Sequence, residues 1–123
     1  MNTPGPDHAR THARNAADAI QQLNHRTFGR EALPNPPQVS EVTQFLSKLA
    51  DRLPQALDQL STAVRRHLAE DLIRMDDGTD AGPAADDVLH HLGQAGLHAR
   101  TLSDSLHKAA SPLFHMGTKE TSA

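Results

Sequence analysis

The sequence predicts an all-α protein: a long antiparallel helical hairpin with an additional N-terminal helix, a three-helix arrangement able to close a four-helix core on dimerisation. Two apolar seams carry that reading. Ala85, Val88, Leu92, Ala95, Ala99, Leu102, Leu106, Ala109 and Leu113 recur at alternating spacings of three and four, which on a helix makes one narrow packing stripe. Val42, Leu46, Leu49, Leu53, Leu57, Leu60, Val64, Leu68 and Leu72 make a second, leucine-rich stripe. The segment from Asp76 to Gly82, rich in Asp and Gly, separates the two, so the helices are expected to fold back on each other.

The elements follow in order. Residues 1–10, with two prolines and a glycine, read as a mobile tail, residues 11–114 as one helical domain, and residues 115–123 as a second tail. The first helix is expected from about Thr11, with Ala13, Ala16, Ala17, Ile20, Leu23 and Phe28 as a weakly apolar face, and the proline-rich stretch Leu33-Pro34-Asn35-Pro36-Pro37 ends it. The second is expected to open at Ser40 as N-cap, with Glu41 in its first turn, and to run to Arg74. Pro54 falls inside it, but the apolar phase continues from Leu53 to Leu57, which predicts a kink and not a loop. The third is expected from Pro83 at its first position, with Asp86 and Asp87 near the first turn, to about Ala110, where Pro112 stops it.

Composition narrows the chemistry. Leu, Ile, Val and Phe total 24 of 123 residues, a thin supply of core that favours self-association, since a partner's apolar face adds burial that the monomer lacks. Cysteine is absent, which excludes disulfides, thiolate nucleophiles and Cys-based metal sites. The N-terminus has neither the charged nor the apolar region of a signal peptide, and no apolar run approaches the roughly 20 residues of a membrane span, so a cytoplasmic location without membrane contact is expected.

Nine histidines are the compositional oddity. No two of those on the expected helices stand three or four apart, the spacing a zincin-type pair requires, and Asp86 with His90, Asp87 with His91 and His67 with Asp71 read as solvated acid–base pairs. Protonating all nine turns a formal net charge of −3 into +6, so a histidine-rich pH- or metal-responsive regulator is the alternative function. The turn fails the EF-hand pattern: a loop begun at Asp76 has Gly78 at its third position and Asp87, not glutamate, at its twelfth. Ser103, Asp104 and His107 lie too close on one helix to build a catalytic triad and read as surface residues. Net acidity and the lack of Tyr and Trp argue against nucleic acid.

No catalytic, cofactor-binding or metal residues are therefore assigned, and no cofactor. The expected function is a non-enzymatic protein–protein interaction module whose partner is a second copy or another helical protein. Leu53, Leu57, Leu60, Val64, Leu92, Ala95, Ala99, Leu102 and Leu106 are the expected interaction residues. The small stretch Ala95, Gly96, Ala99 and Ser103 is expected to admit a facing backbone, either within the hairpin or from a second helix.

Residues 16–27, 49–60 and 75–78, most specifically Arg52-Leu53-Pro54-Gln55 with Gln59-Leu60, resemble a group of small uncharacterised actinobacterial helical proteins. The resemblance spans roughly residues 11 to 113 and implies a helical hairpin with an N-terminal helix, and no activity. The chain is also similar in size and pattern to helical-hairpin substrates of type VII secretion, but it lacks their Trp-x-Gly turn and Tyr-containing signal. Secretion by that route is the minor alternative.

Overall fold

The computed structural model describes residues 5–120 and is all-α: α1 spans Pro6–Arg26, α2 Pro36–Ala69 and α3 Ala81–Phe114. The sequence-predicted tail ends at residues 1–4 and 121–123 lie outside the described residues. Helices α2 and α3 each run for 34 residues, about 51 Å at 1.5 Å per residue. They pack closely as a hairpin, whereas α1 makes no comparable backbone approach to either.

Every helix boundary is shifted from its expected place, and each shift has a local cause. Pro6 occupies the first turn of α1, where a missing N–H costs nothing, so the helix begins five residues before Thr11 and includes residues 6–10 of the expected tail. It ends at Arg26, where Thr27 directs both its N–H and its hydroxyl to the Leu23 carbonyl, at 2.9 Å each. Phe28 therefore leaves the helix and is 94% exposed. Pro36 likewise sits in the first turn of α2, with Asn35 as N-cap, and Ser40 is buried inside the helix instead of capping it.

The far end of α2 stops at Ala69, five residues before Arg74. Asp71 takes a left-handed conformation, φ 55°, the Leu72 N–H bonds the His67 carbonyl at 2.9 Å and the Asp71 N–H bonds the Leu68 carbonyl at 3.2 Å. That pair of bonds is a Schellman motif, which satisfies the last carbonyls and turns the chain out, leaving Leu72 off the helix and exposed. In the following loop Gly78, φ 76°, closes a turn onto the Met75 carbonyl. Asp77 accepts from the Thr79 hydroxyl at 2.6 Å and from its N–H at 3.0 Å, and these two bonds hold its carboxyl below the ordinary Asp range.

Asp80 is the N-cap of α3, its carboxylate accepting from the Gly82 N–H at 3.3 Å, so the helix starts two residues before Pro83 and its first turn carries no acidic side chain. Pro112 falls in the last turn, and α3 continues past it to Phe114. As expected, α2 passes through Pro54 unbroken.

Candidate interaction surface

The side chains that α2 and α3 place between them mix small residues with leucines, and the most buried of them are small. On α2 the contact line is Ser40, Thr43, Ser47, Ala50, Pro54, Leu57, Ser61, Val64 and Leu68; on α3 it is Ala85, Leu89, Leu92, Gly96, Ala99, Ser103, Leu106, Ala110 and Leu113, every one buried or half-buried. Both lines alternate spacings of three and four, so both are genuine helical seams. Ala50 is 1% exposed and Ala99 6%, and the buried polar residues Ser40, Ser47 and Ser61 stand on the α2 line. Small residues win this position because they let two backbones approach, and an apolar contact gains most where atoms touch over the whole helix length. The hydroxyl of Ser47 has no hydrogen-bond partner there.

The expected seams are displaced from these lines in a regular way. They coincide at Leu57, Val64 and Leu68, and at Ala85, Leu92, Ala99, Leu106 and Leu113, but the other members within the helices lie one residue early: Val42 for Thr43, Leu46 for Ser47, Leu49 for Ala50, Leu53 for Pro54, Leu60 for Ser61, Val88 for Leu89, Ala95 for Gly96, Leu102 for Ser103 and Ala109 for Ala110. One residue is about 100° around a helix. The displaced residues of both helices fall on the same side of the hairpin, because residues preceding the contact line on one antiparallel helix face those preceding it on the other.

That side is apolar and only partly covered. Of the expected interaction residues, Leu57, Val64, Leu92 and Leu106 are half-buried on the contact line and Ala99 is buried there. Leu53 and Ala95 are half-buried beside it, whereas Leu60 and Leu102 are 54% and 46% exposed. Val42, Leu46, Leu49 and Val88 extend the same surface. Its outer edge on α2 becomes a shallow depression lined by Phe45, Leu49, Arg52, Leu53 and Ala56, which Ala16 of α1 reaches from one side.

The opposite side of the hairpin is polar. Asp51 of α2 accepts from the Ser103 hydroxyl and meets His107 Nε2 at 2.9 and 3.2 Å through its two oxygens, joining the helices across the contact line. Pro54, Arg100 and Asp104 complete the surrounding depression, and next to it Asp58, Arg65, Gly93 and Gly96 line a groove with Arg100. Ser103 and His107, read from sequence as unconnected surface residues, are thus brought together by a carboxylate from another helix. The order differs from that of a nucleophilic triad, because the carboxylate stands between hydroxyl and imidazole and the group that accepts the Ser103 hydrogen bond is the weakly basic Asp51 carboxylate. The arrangement is an interhelical clamp.

The Ser103 hydroxyl first, and then the His107 ring, hold the Asp51 carboxyl below its ordinary value of 3.8. A lowered carboxylate value stabilises the fold above the ordinary value and loses that contribution as pH falls through the lowered one. The Tm difference between wild type and Asp51→Asn is therefore expected to shrink as pH falls below about 4. A difference that stays constant down to pH 2.5 would remove the clamp from the stability of the hairpin.

Asp87 and His91 pair at 3.4 Å with both side chains exposed, a contact of little energetic weight. Among the described residues no three His, Asp or Glu side chains converge to hold a metal ion. Nor is any helix among them long and apolar enough to cross a membrane. No family model, no curated protein and no solved structure matches the chain.

Proposed function

We propose that the protein is a non-enzymatic helical interaction module that docks another helical surface on the apolar side of its hairpin. One observation carries the reading: the contact between α2 and α3 alternates small residues with leucines and is complete without Leu60, Val88 and Leu102, which are set to one side and left accessible. Covering these side chains with a partner would gain about 25 cal/mol for each Å² of apolar area removed from water. The opposite side, with Asp51, Asp58, Arg65, Arg100 and Asp104, is suited to solvent.

Site-specific photocrosslinking in cells producing the full chain tests this. A photoreactive residue in place of Leu60 or Leu102 is expected to give discrete higher-mass adducts, and one in place of Asp58 or Asp104 is not. Equal labelling from both sides, or none from Leu60 and Leu102, would sink the proposal.

A further inference from the structure

The surface area of the molecule bears on what covers the apolar side. The chain exposes 10037 Å². A compact monomer of its mass, 13.3 kDa, exposes about 6,500 Å². Exposed α1 accounts for part of that excess of about 3,500 Å², which leaves room for the roughly 800 Å² that each partner contributes to a standard-sized interface. The first helix supplies little of this cover: its Ala16 reaches only the outer edge of α2, beside Phe45, Leu49, Leu53 and Ala56, and Leu60 and Leu102 stay about half exposed.

The two halves of the apolar side differ in volume. On α2 it presents Leu46, Leu53 and Leu60; on α3 the corresponding positions are Ala109, Leu102 and Ala95. At two of these three pairs a large residue thus corresponds to a small one, and one hairpin carries both halves. An interface made of two copies of a single patch requires this self-complementarity.

We propose that a second copy of this chain occupies the face, with α2 of each protomer against α3 of its partner and the two hairpins closing a four-helix bundle. The proposal rests on the reading of this side as a docking surface. A two-fold axis parallel to the helices sets Leu46 and Leu60 of α2 over Ala109 and Ala95 of the partner's α3, with Leu53 against Leu102 between them, so that two of the three leucines fill spaces left by small residues. The other two-fold arrangement, with α2 against α2 and α3 against α3, would crowd leucine on leucine and leave alanine facing alanine. No Asp, Glu, Lys or Arg stands at these six positions, so closing the bundle strips no ion of its water there.

Sedimentation equilibrium of the full chain at neutral pH is expected to give the mass of a dimer. Leu60→Glu and Leu102→Glu are each expected to give a monomer with wild-type far-UV circular dichroism. Because the chain has no cysteine, an oxidised mixture of Leu60→Cys and Ala95→Cys proteins is expected to form disulfides joining the two variants. Leu60→Cys alone linking to itself in preference would overturn the packing of α2 on α3. A dimer that persists in both glutamate variants would place the interface elsewhere and overturn the proposal. A wild-type monomer at all concentrations would also overturn it, and the melting temperature of Leu60→Glu then separates the two failures. Melting like wild type leaves the docking surface free for a different helical protein, whereas melting lower shows that the face is used within the chain, and the docking reading fails as well.

Discussion

Ala50→Leu is expected to lower the Tm of the hairpin by about 4 to 12 °C, the counterpart of roughly 1 to 3 kcal/mol of overpacking. Ala50 is 1% exposed on the contact line of α2, where the backbone of α3 leaves no space for three further carbons. Ala99→Leu, on the facing line, is expected to act in the same direction. Ala56→Leu provides the control, since Ala56 is exposed on the same helix and a substitution there belongs to the class that changes stability by about 0.5 kcal/mol or less. Equal melting of the Ala50 and Ala56 variants would show that the helices do not meet along this line.

Pro54→Ala is expected to act in the opposite direction. Pro54 lies in the middle of α2, lacks the N–H that would bond the Ala50 carbonyl, and carries a ring that crowds the preceding turn. Alanine in a helix interior is favoured over proline by about 3 kcal/mol, and the half-buried ring gives back part of that through lost contact, so a net gain of about 1 to 2 kcal/mol is expected. Thermal melting with circular dichroism checks it, and a lower Tm with reduced helicity would show that the proline sets a bend on which the packing of α3 depends.

The fold was legible because hydrophobic periodicity reports helices whatever packs against them. The seams at Leu57, Val64, Leu68, Leu92, Ala99 and Leu106 were read correctly as lines facing a partner helix. The alternate positions were misread for a physical reason. A scan for apolar residues passes over Ser47, Ser61 and Ser103, yet size governs the closest approach of two backbones, and those residues are small, whereas a Cβ at Gly96 would meet no atom within 4 Å. Asp51 was missed for the same cause. Once Ala50 and Leu106 are placed on the contact lines, Asp51 and His107 follow them on the same side of both helices, and their pairing becomes visible from spacing alone. The ends of α2 eluded periodicity because backbone hydrogen bonds at Asp71 and Leu72 fix one of them, and Leu72 continues the apolar pattern past the point where the chain turns out.

The separation of α1 from the hairpin has a consequence for cooperativity. A helix in a folded protein usually shares its fate with the core, since breaking it exposes the surface it covers. The 21 residues of α1 cover little: most of its side chains are exposed, and its Asp7–Arg10 ion pair, at 3.2 Å, is solvated on both partners. Its order depends on local terms, namely alanine content, proline in the first turn, and His25 and Arg26 at the negative end of the dipole. Such a helix frays as a helix–coil equilibrium instead of unfolding in an all-or-none step. The chain therefore behaves as a cooperative unit of α2, α3 and their loop joined to a segment that gains and loses helix independently, with amide hydrogens that exchange long before those under Ala50 and Ala99.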